Sequence, residues 1–215
     1  MVPRAPASLL PSPPLVEAGA SLPFNMNALR HNFLSRYTPM ISRNSRFDSP
    51  IMIRGIAADL PAVNQVITTA VQSWPASDRL KRLALTALHY TSTDVQDFEF
   101  LLCYKAHACL GVAVWEPENV SFTRDTSSVA LLHGLYVDQQ HQQQGVGKLL
   151  LDGVHLRAEK RNFSGIYVRA ERFSASYFEH VGYRQLADNQ GPGASISAYP
   201  HRFLRDLAAR HSNAA

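Results

Sequence analysis

From Ile51 onward, apolar and polar positions fall into blocks whose period changes in a regular way. Ile51 to Ala57 reads as a strand, and a helix opened by Asp59 as N-cap, with Pro61 in its first turn, follows it. That helix carries Leu60, Val63, Val66, Ile67, Ala70 and Val71 at helical spacing and runs to about Trp74. A second helix starts after Ser77, with Leu80, Leu83, Ala84, Ala87 and Leu88 as its apolar side. Phe98 to Tyr104 and Ala108 to Trp115 form a hairpin, and Val129 to Val137 is a third consecutive strand. Gly145 to about Arg161 is a helix, whose last turn gathers Arg157, Lys160 and Arg161 at the negative end of its dipole. Ile166 to Ala170, Tyr183 to Leu186 and Ile196 to Tyr199 are strands, with a short helix from Ser174 to about His180 between the first two. The succession predicts an α/β fold, a mixed sheet with helices on its faces.

Residues 1–50 break this order. They hold eight of the 13 prolines and sustain no apolar periodicity for two helical turns. They read as a disordered extension, leaving residues 51–215 as a single domain. The Arg and Ser content of the extension resembles a transit peptide, while Met52 opens a new pattern and competes as a start downstream of Met1. No apolar run is long enough for a membrane span, and the first residues lack the apolar core of a secretory signal. A cytoplasmic, soluble protein is expected.

Composition narrows the function classes. With 46% hydrophobic and 18% charged residues the chain is globular. Of the net charge of +4, +3 lies in residues 1–50, so the domain is nearly neutral and no nucleic-acid partner is expected. Two cysteines, Cys103 and Cys109, give neither a disulfide framework nor a four-ligand zinc site, and no metal is expected.

The informative segment runs from Leu131 to Leu150, where an apolar strand enters a polar turn that opens a helix. The first N–H groups of a helix lack intrahelical partners, and the dipole favours an anion there. Gly145 and Gly147 remove side chains that would hold an anion off the backbone, and Lys148 adds a charge. A phosphate-binding loop of the nucleotide hydrolases fails, because Gln142 stands where its first Gly belongs and Leu149 follows Gly147-Lys148. The dinucleotide fingerprint fails at Leu150. What remains is Gln142-x-x-Gly145-x-Gly147 between a strand and a helix.

This pattern resembles the signature of the GNAT superfamily of acyl-CoA-dependent N-acyltransferases. A second element is similar too: the strand Tyr167-Val168-Arg169-Ala170, the helix Ser174 to His180, then Val181-Gly182-Tyr183. The resemblance implies a central, mostly antiparallel sheet, splayed at the CoA-binding strand. It implies acetyl-CoA as the acyl donor, with Leu135, Tyr136 and Val137 along its pantetheine arm. Gln142, Gln143, Gln144, Gly145, Val146, Gly147 and Lys148 would lie around the pyrophosphate, the glutamine amides acting as neutral donors, and Glu171, Ser174 and Phe178 would stand near the arm. The implied reaction is direct transfer of an acetyl group to a primary amine, on a small molecule or a protein, by a monomer or homodimer.

His133 lies on the strand bordering the expected amine site, and an imidazole suits removal of a proton from an ammonium substrate. The competing reading is a histidine that satisfies a hydrogen bond beside the sheet. Glu116 at a strand end is a lesser candidate. The family's frequent acid, a Tyr four residues before the Gly of Gly-Phe/Tyr, is Phe178 here. Tyr177 is adjacent, but about 100° away around a helix. Either the thiolate leaves without a side-chain acid, a local irregularity brings Tyr177 in, or catalysis is weak. The alternative to an enzyme is a non-catalytic CoA-sensing module, motivated by Phe178 and by Glu171, which replaces the family's Asn.

Overall fold

The structure is a computed structural model, and it describes residues 49–121, 128–187 and 201–207. The expected extension and the strand expected at Ile196 to Tyr199 lie outside the described residues.

Seven strands form one sheet: β1 (Ile51–Arg54), β2 (Glu99–Lys105), β3 (Ala108–Ser121), β4 (Ser128–Val137), β5 (Gly165–Ala170), β6 (Arg184–Gln185) and β7 (His201–Asp206). Their spatial order is β1-β2-β3-β4-β5-β7-β6, with every pair antiparallel except β4 and β5. The helices are α1 (Leu60–Gln72), α2 (Asp78–Leu88), α3 (Asp94–Asp97), α4 (Val146–Lys160) and α5 (Ala175–His180). The parallel pair is bridged by α4, as a crossover between parallel strands requires. The mixed, mostly antiparallel sheet is the expected class.

The apolar side of α4, including Leu150, Leu151, Val154 and Ala158, packs into one core with Leu101, Cys103, Ala113, Trp115, Ala130 and Leu132 of the sheet. Burial of Val63, Val66, Ile67, Ala70 and Val71 fixes α1. A smaller cluster holds Val129, Leu131, Tyr167, Leu186 and Leu204. Arg161, expected at the end of α4 for the helix dipole, reaches across to Glu99 and lies 5.2 Å from the centre of the Trp115 ring.

Several local expectations change. Asp59 does not cap α1 with its side chain; its carboxylate accepts from the Ile56 N–H at 2.9 Å in the turn before the helix. Ser77 does cap α2, accepting from the Leu80 N–H. The apolar side of α2 is not part of the core: Leu80 and Leu83 are 54% and 61% exposed, and α2 buries no residue. Its periodicity gives a helix, which lies against α1. The last described strand, β7, lies at His201–Asp206, where no strand was expected.

Candidate functional site

The site begins with a fault in the sheet. Along the β3–β4 ladder, Val114 opposes Gly134 but Trp115 opposes Leu132, so His133 is an extra residue on β4. An extra residue reverses the alternation of side chains. Before it, Ala130 and Leu132 belong to the α4 core; after it, Leu135 and Val137 pack on that same core. Tyr136 is thereby turned to the other face, where its ring and the Tyr90 hydroxyl occupy the space beside the bare Gly134.

On the opposite edge, β4 pairs with β5 only from Val129↔Gly165 to Leu132↔Val168. Both strands continue, β4 to Val137 and β5 to Ala170. Past the bulge they separate, leaving a V whose wall is the β4 edge from His133 to Val137. Backbone polar groups on such an edge can pair with an extended ligand that carries amides.

At the open end of the V lies the turn that starts α4. Gly145 has φ +83°, and a Cβ there would meet nothing within 4 Å, so the turn faces open space. The first intrahelical bond runs from Leu149 N to Gly145 O, which leaves the N–H groups of Val146, Gly147 and Lys148 without intrahelical acceptors. The Val146 side chain is buried, so it offers only its backbone to a ligand. This is a helix start that can take a phosphate on its amides, and the residues present fit the pyrophosphate of CoA.

The glutamines have a different job from the one expected. Gln142 Nε2 donates to Val137 O at 3.2 Å and to Ser73 Oγ at 3.1 Å, and Gln144 Nε2 donates to Gln140 O at 2.9 Å. Both amide donors of Gln142 and one of Gln144 are thus engaged in shaping the turn. Gln143 is exposed with φ +59°. Lys148 is exposed and its Nζ is 2.7 Å from Asp152.

Asp138 completes the brace. Its carboxylate accepts from Thr69 Oγ1 at 2.7 Å and from Gln140 N at 3.0 Å, and lies 3.2 Å from His141 Nδ1. Burial pushes its pKa up, but these hydrogen bonds outweigh that and hold it below the ordinary carboxylate value. The last turns of α1, through Thr69 and Ser73, are thus fastened to the turn that precedes α4.

Phe178 is buried in the core, stacked on Phe203 with ring centres 5.9 Å apart and edge-on to Tyr183. Its ring is part of the core packing. A 3₁₀ turn at Arg172–Ser174 precedes α5, and Tyr177, not Phe178, comes to the start of α4: a Cβ on Gly147 would lie 2.8 Å from Tyr177 Oη. That hydroxyl is buried with no hydrogen-bond partner. Burial, then the charge of Asp152, pushes its pKa up to about 12. Glu171 is exposed, and its carbonyl accepts from Ser174 Oγ at 2.9 Å, so the hydroxyl of Ser174 closes its own turn.

His133 sits half-buried, its Nε2 2.9 Å from Glu116 Oε2 and its ring centre 4.2 Å from that of Phe98. The bulge that creates the V therefore also presents an imidazole–carboxylate pair. Tyr90 has no signal in the sequence, and Phe98, read there as the start of a strand, is not marked as a neighbour of His133; the brace from α1 is equally silent, because these depend on contacts between distant segments. Cys103 and Cys109 are free thiols, both raised in pKa by burial, Cys109 to about 12, which makes them poor nucleophiles. Among the described residues there is no metal-binding group and no helix long and apolar enough to cross a membrane.

Residues 86–203 match a family model described as an acetyltransferase (GNAT) domain. Solved structures with the same fold include the PaiA N-acetyltransferase of Thermoplasma acidophilum in complex with coenzyme A, at 12% identity and TM-score 0.59, covering 74% of this chain and 99% of that one. A GNAT-family acetyltransferase from Staphylococcus aureus is similar at 17% identity and TM-score 0.53, covering 74% and 100%. The N-acetylglutamate synthase of Neisseria gonorrhoeae, with coenzyme A and N-acetyl-glutamate, matches at 15% identity and TM-score 0.55, covering 78% of this chain and 37% of that one. No curated protein matches the chain in sequence.

Proposed function

The chain belongs to the GNAT acetyltransferase family, and from that premise we propose that it moves an acetyl group from acetyl-CoA to a primary amine by direct attack in a ternary complex. The observation that carries this reading is the end of β4–β5 pairing at Leu132↔Val168, with both strands running on toward the open helix start at Gly145. A pantetheine arm fits along residues 135–137, with its pyrophosphate on the N–H groups of residues 146–148. The amine nitrogen forms the new bond to the acetyl carbon as the carbon–sulfur bond breaks. His133 first takes a proton from the ammonium substrate to give the neutral amine that attacks, and Glu116 holds the imidazole and balances its charge.

Tyr177 is assigned as a hydrogen-bond donor to the departing sulfur rather than as a full acid. With its pKa near 12, against about 8.5 for an ordinary cysteine thiol, complete proton transfer from the phenol is uphill. The proton that the nitrogen sheds as the amide forms passes through water to the departing thiolate, giving the free thiol. The acceptor is an amine-bearing small molecule or protein, and the two free thiols support a reducing, cytoplasmic setting.

Thiol release from acetyl-CoA, measured against a panel of polyamines, amino acids and peptides, tests the reading. Release that depends on one acceptor class supports it. Tight CoA binding without turnover on any amine would favour the sensing module, the reading supported by the burial of Phe178 where the family often carries its acid.

A further inference from the structure

The two lips of the V belong to different parts of the chain. On the β4 side, the cofactor turn is fastened to the end of α1 by Thr69–Asp138 and Ser73–Gln142. Trp74 follows directly, its N–H bonded to Val71 O in the turn that ends the helix. On the β5 side, Phe173 is carried in the 3₁₀ turn Arg172–Ser174, three residues after the strand ends. These aromatic rings, 99 positions apart in the chain, meet at a centroid distance of 4.7 Å and a tilt of 48°. Their contact joins one lip to the other at the end where β4 and β5 have separated.

Neither ring is part of a core. Phe173 is 39% exposed, Trp74 is half-buried, and neither belongs to the buried clusters that hold the sheet. A contact of this kind is worth far less than the core, so it can open without unfolding the domain. An extended ligand placed between β4 and β5, with its anionic end on the turn at Gly145, has to pass this point.

We propose that Trp74 and Phe173 form an aromatic bar across the mouth of the V, which parts to admit the pantetheine arm of acyl-CoA and closes again over it. The proposal rests on the acyl-CoA reading above. A bar raises the barrier in both directions, so removing it speeds binding and release together and changes affinity less than either rate. An aromatic wall that merely touches the bound arm behaves differently, since its loss speeds release alone.

Stopped-flow binding of CoA to the full chain separates these cases. The chain has two tryptophans, and Trp115 is fully buried in the core, so an emission change that is lost in Trp74→Phe reports the bar. In Phe173→Ala both the association and dissociation rates should rise by about two- to tenfold, the range an aromatic pair is worth. Phe173→Tyr should keep the wild-type rates, and Phe173→Leu should fall between; thermal melting establishes that each variant is folded. Unchanged rates in folded Phe173→Ala, a rise in dissociation alone, or an emission change that persists in Trp74→Phe would each overturn the bar and leave the acyl-CoA reading standing. Absence of CoA binding by the wild-type chain would overturn that reading and the bar with it.

Discussion

Gly147 and Tyr177 are fitted to each other, because the phenol oxygen occupies the place where a Cβ on residue 147 would be. In the first turn of a helix, Gly→Ala ordinarily gains up to about 1 kcal/mol. Here Gly147→Ala should gain nothing or lose stability, and the gain should reappear in the Tyr177→Phe background, which chemical denaturation of the four proteins of the double-mutant cycle would read. Tyr177→Phe alone should leave stability equal or higher, since the lost hydroxyl is buried and unpartnered. Its turnover should fall less than tenfold, while His133→Gln should lose about 10²- to 10⁴-fold with CoA affinity kept. A larger loss in Tyr177→Phe than in His133→Gln would reverse the two assignments. Gly147→Val should remove CoA binding in a folded protein, because its branched side chain collides with Tyr177 and displaces the first turn, whose N–H groups would hold the pyrophosphate.

At the scale of elements, α4 carries a group that the mechanism does not use. His155 is buried, its Nε2 2.8 Å from Tyr183 Oη, and burial, then the charge of Arg205, lowers its pKa from 6.5 to about 4. The sign of the linkage follows from which state binds the proton. Between pH 6.5 and about 4 the unfolded chain protonates this imidazole and the folded one does not, so stability is complete above pH 6.5 and is lost as pH falls through that window. The shift corresponds to about 3 kcal/mol. Melting temperature against pH should show this slope in the wild type and a flatter one in His155→Gln. The α2 helix makes the opposite point: Leu80→Ser and Leu83→Ser should change stability by no more than about 0.5 kcal/mol, because these leucines stand in water.

For the molecule as a whole, the described domain forms its sheet, its cores and its candidate site from residues after position 50. The proline-rich residues 1–50 carry no sustained apolar periodicity, so deleting them should leave melting temperature and CoA affinity within experimental error of the full chain. A fall of several degrees would show that the segment packs on the domain. Strands β1 to β6, helices α1, α2, α4 and α5, the mixed sheet and the turn from Gln142 to Lys148 were legible because each is written in a local pattern: period two, period 3.6, and glycines at a helix start; β7 and the short α3 were not. Turns and amphipathic runs depend on neighbours within a few residues, and those neighbours are visible in the sequence. What the tertiary structure decided depends on partners brought together from afar. The bulge at His133 and its pairing with Glu116 come from a register between strands. The choice of Tyr177 over Phe178 comes from which ring the core absorbed. The diversion of the glutamine amides to the turn itself, and the meeting of Trp74 with Phe173, come from where α1 and the end of β5 were packed. Spacing along the chain sets which residue types occupy an element, but which of them face each other is fixed only when the sheet closes its hydrogen bonds and the core excludes water.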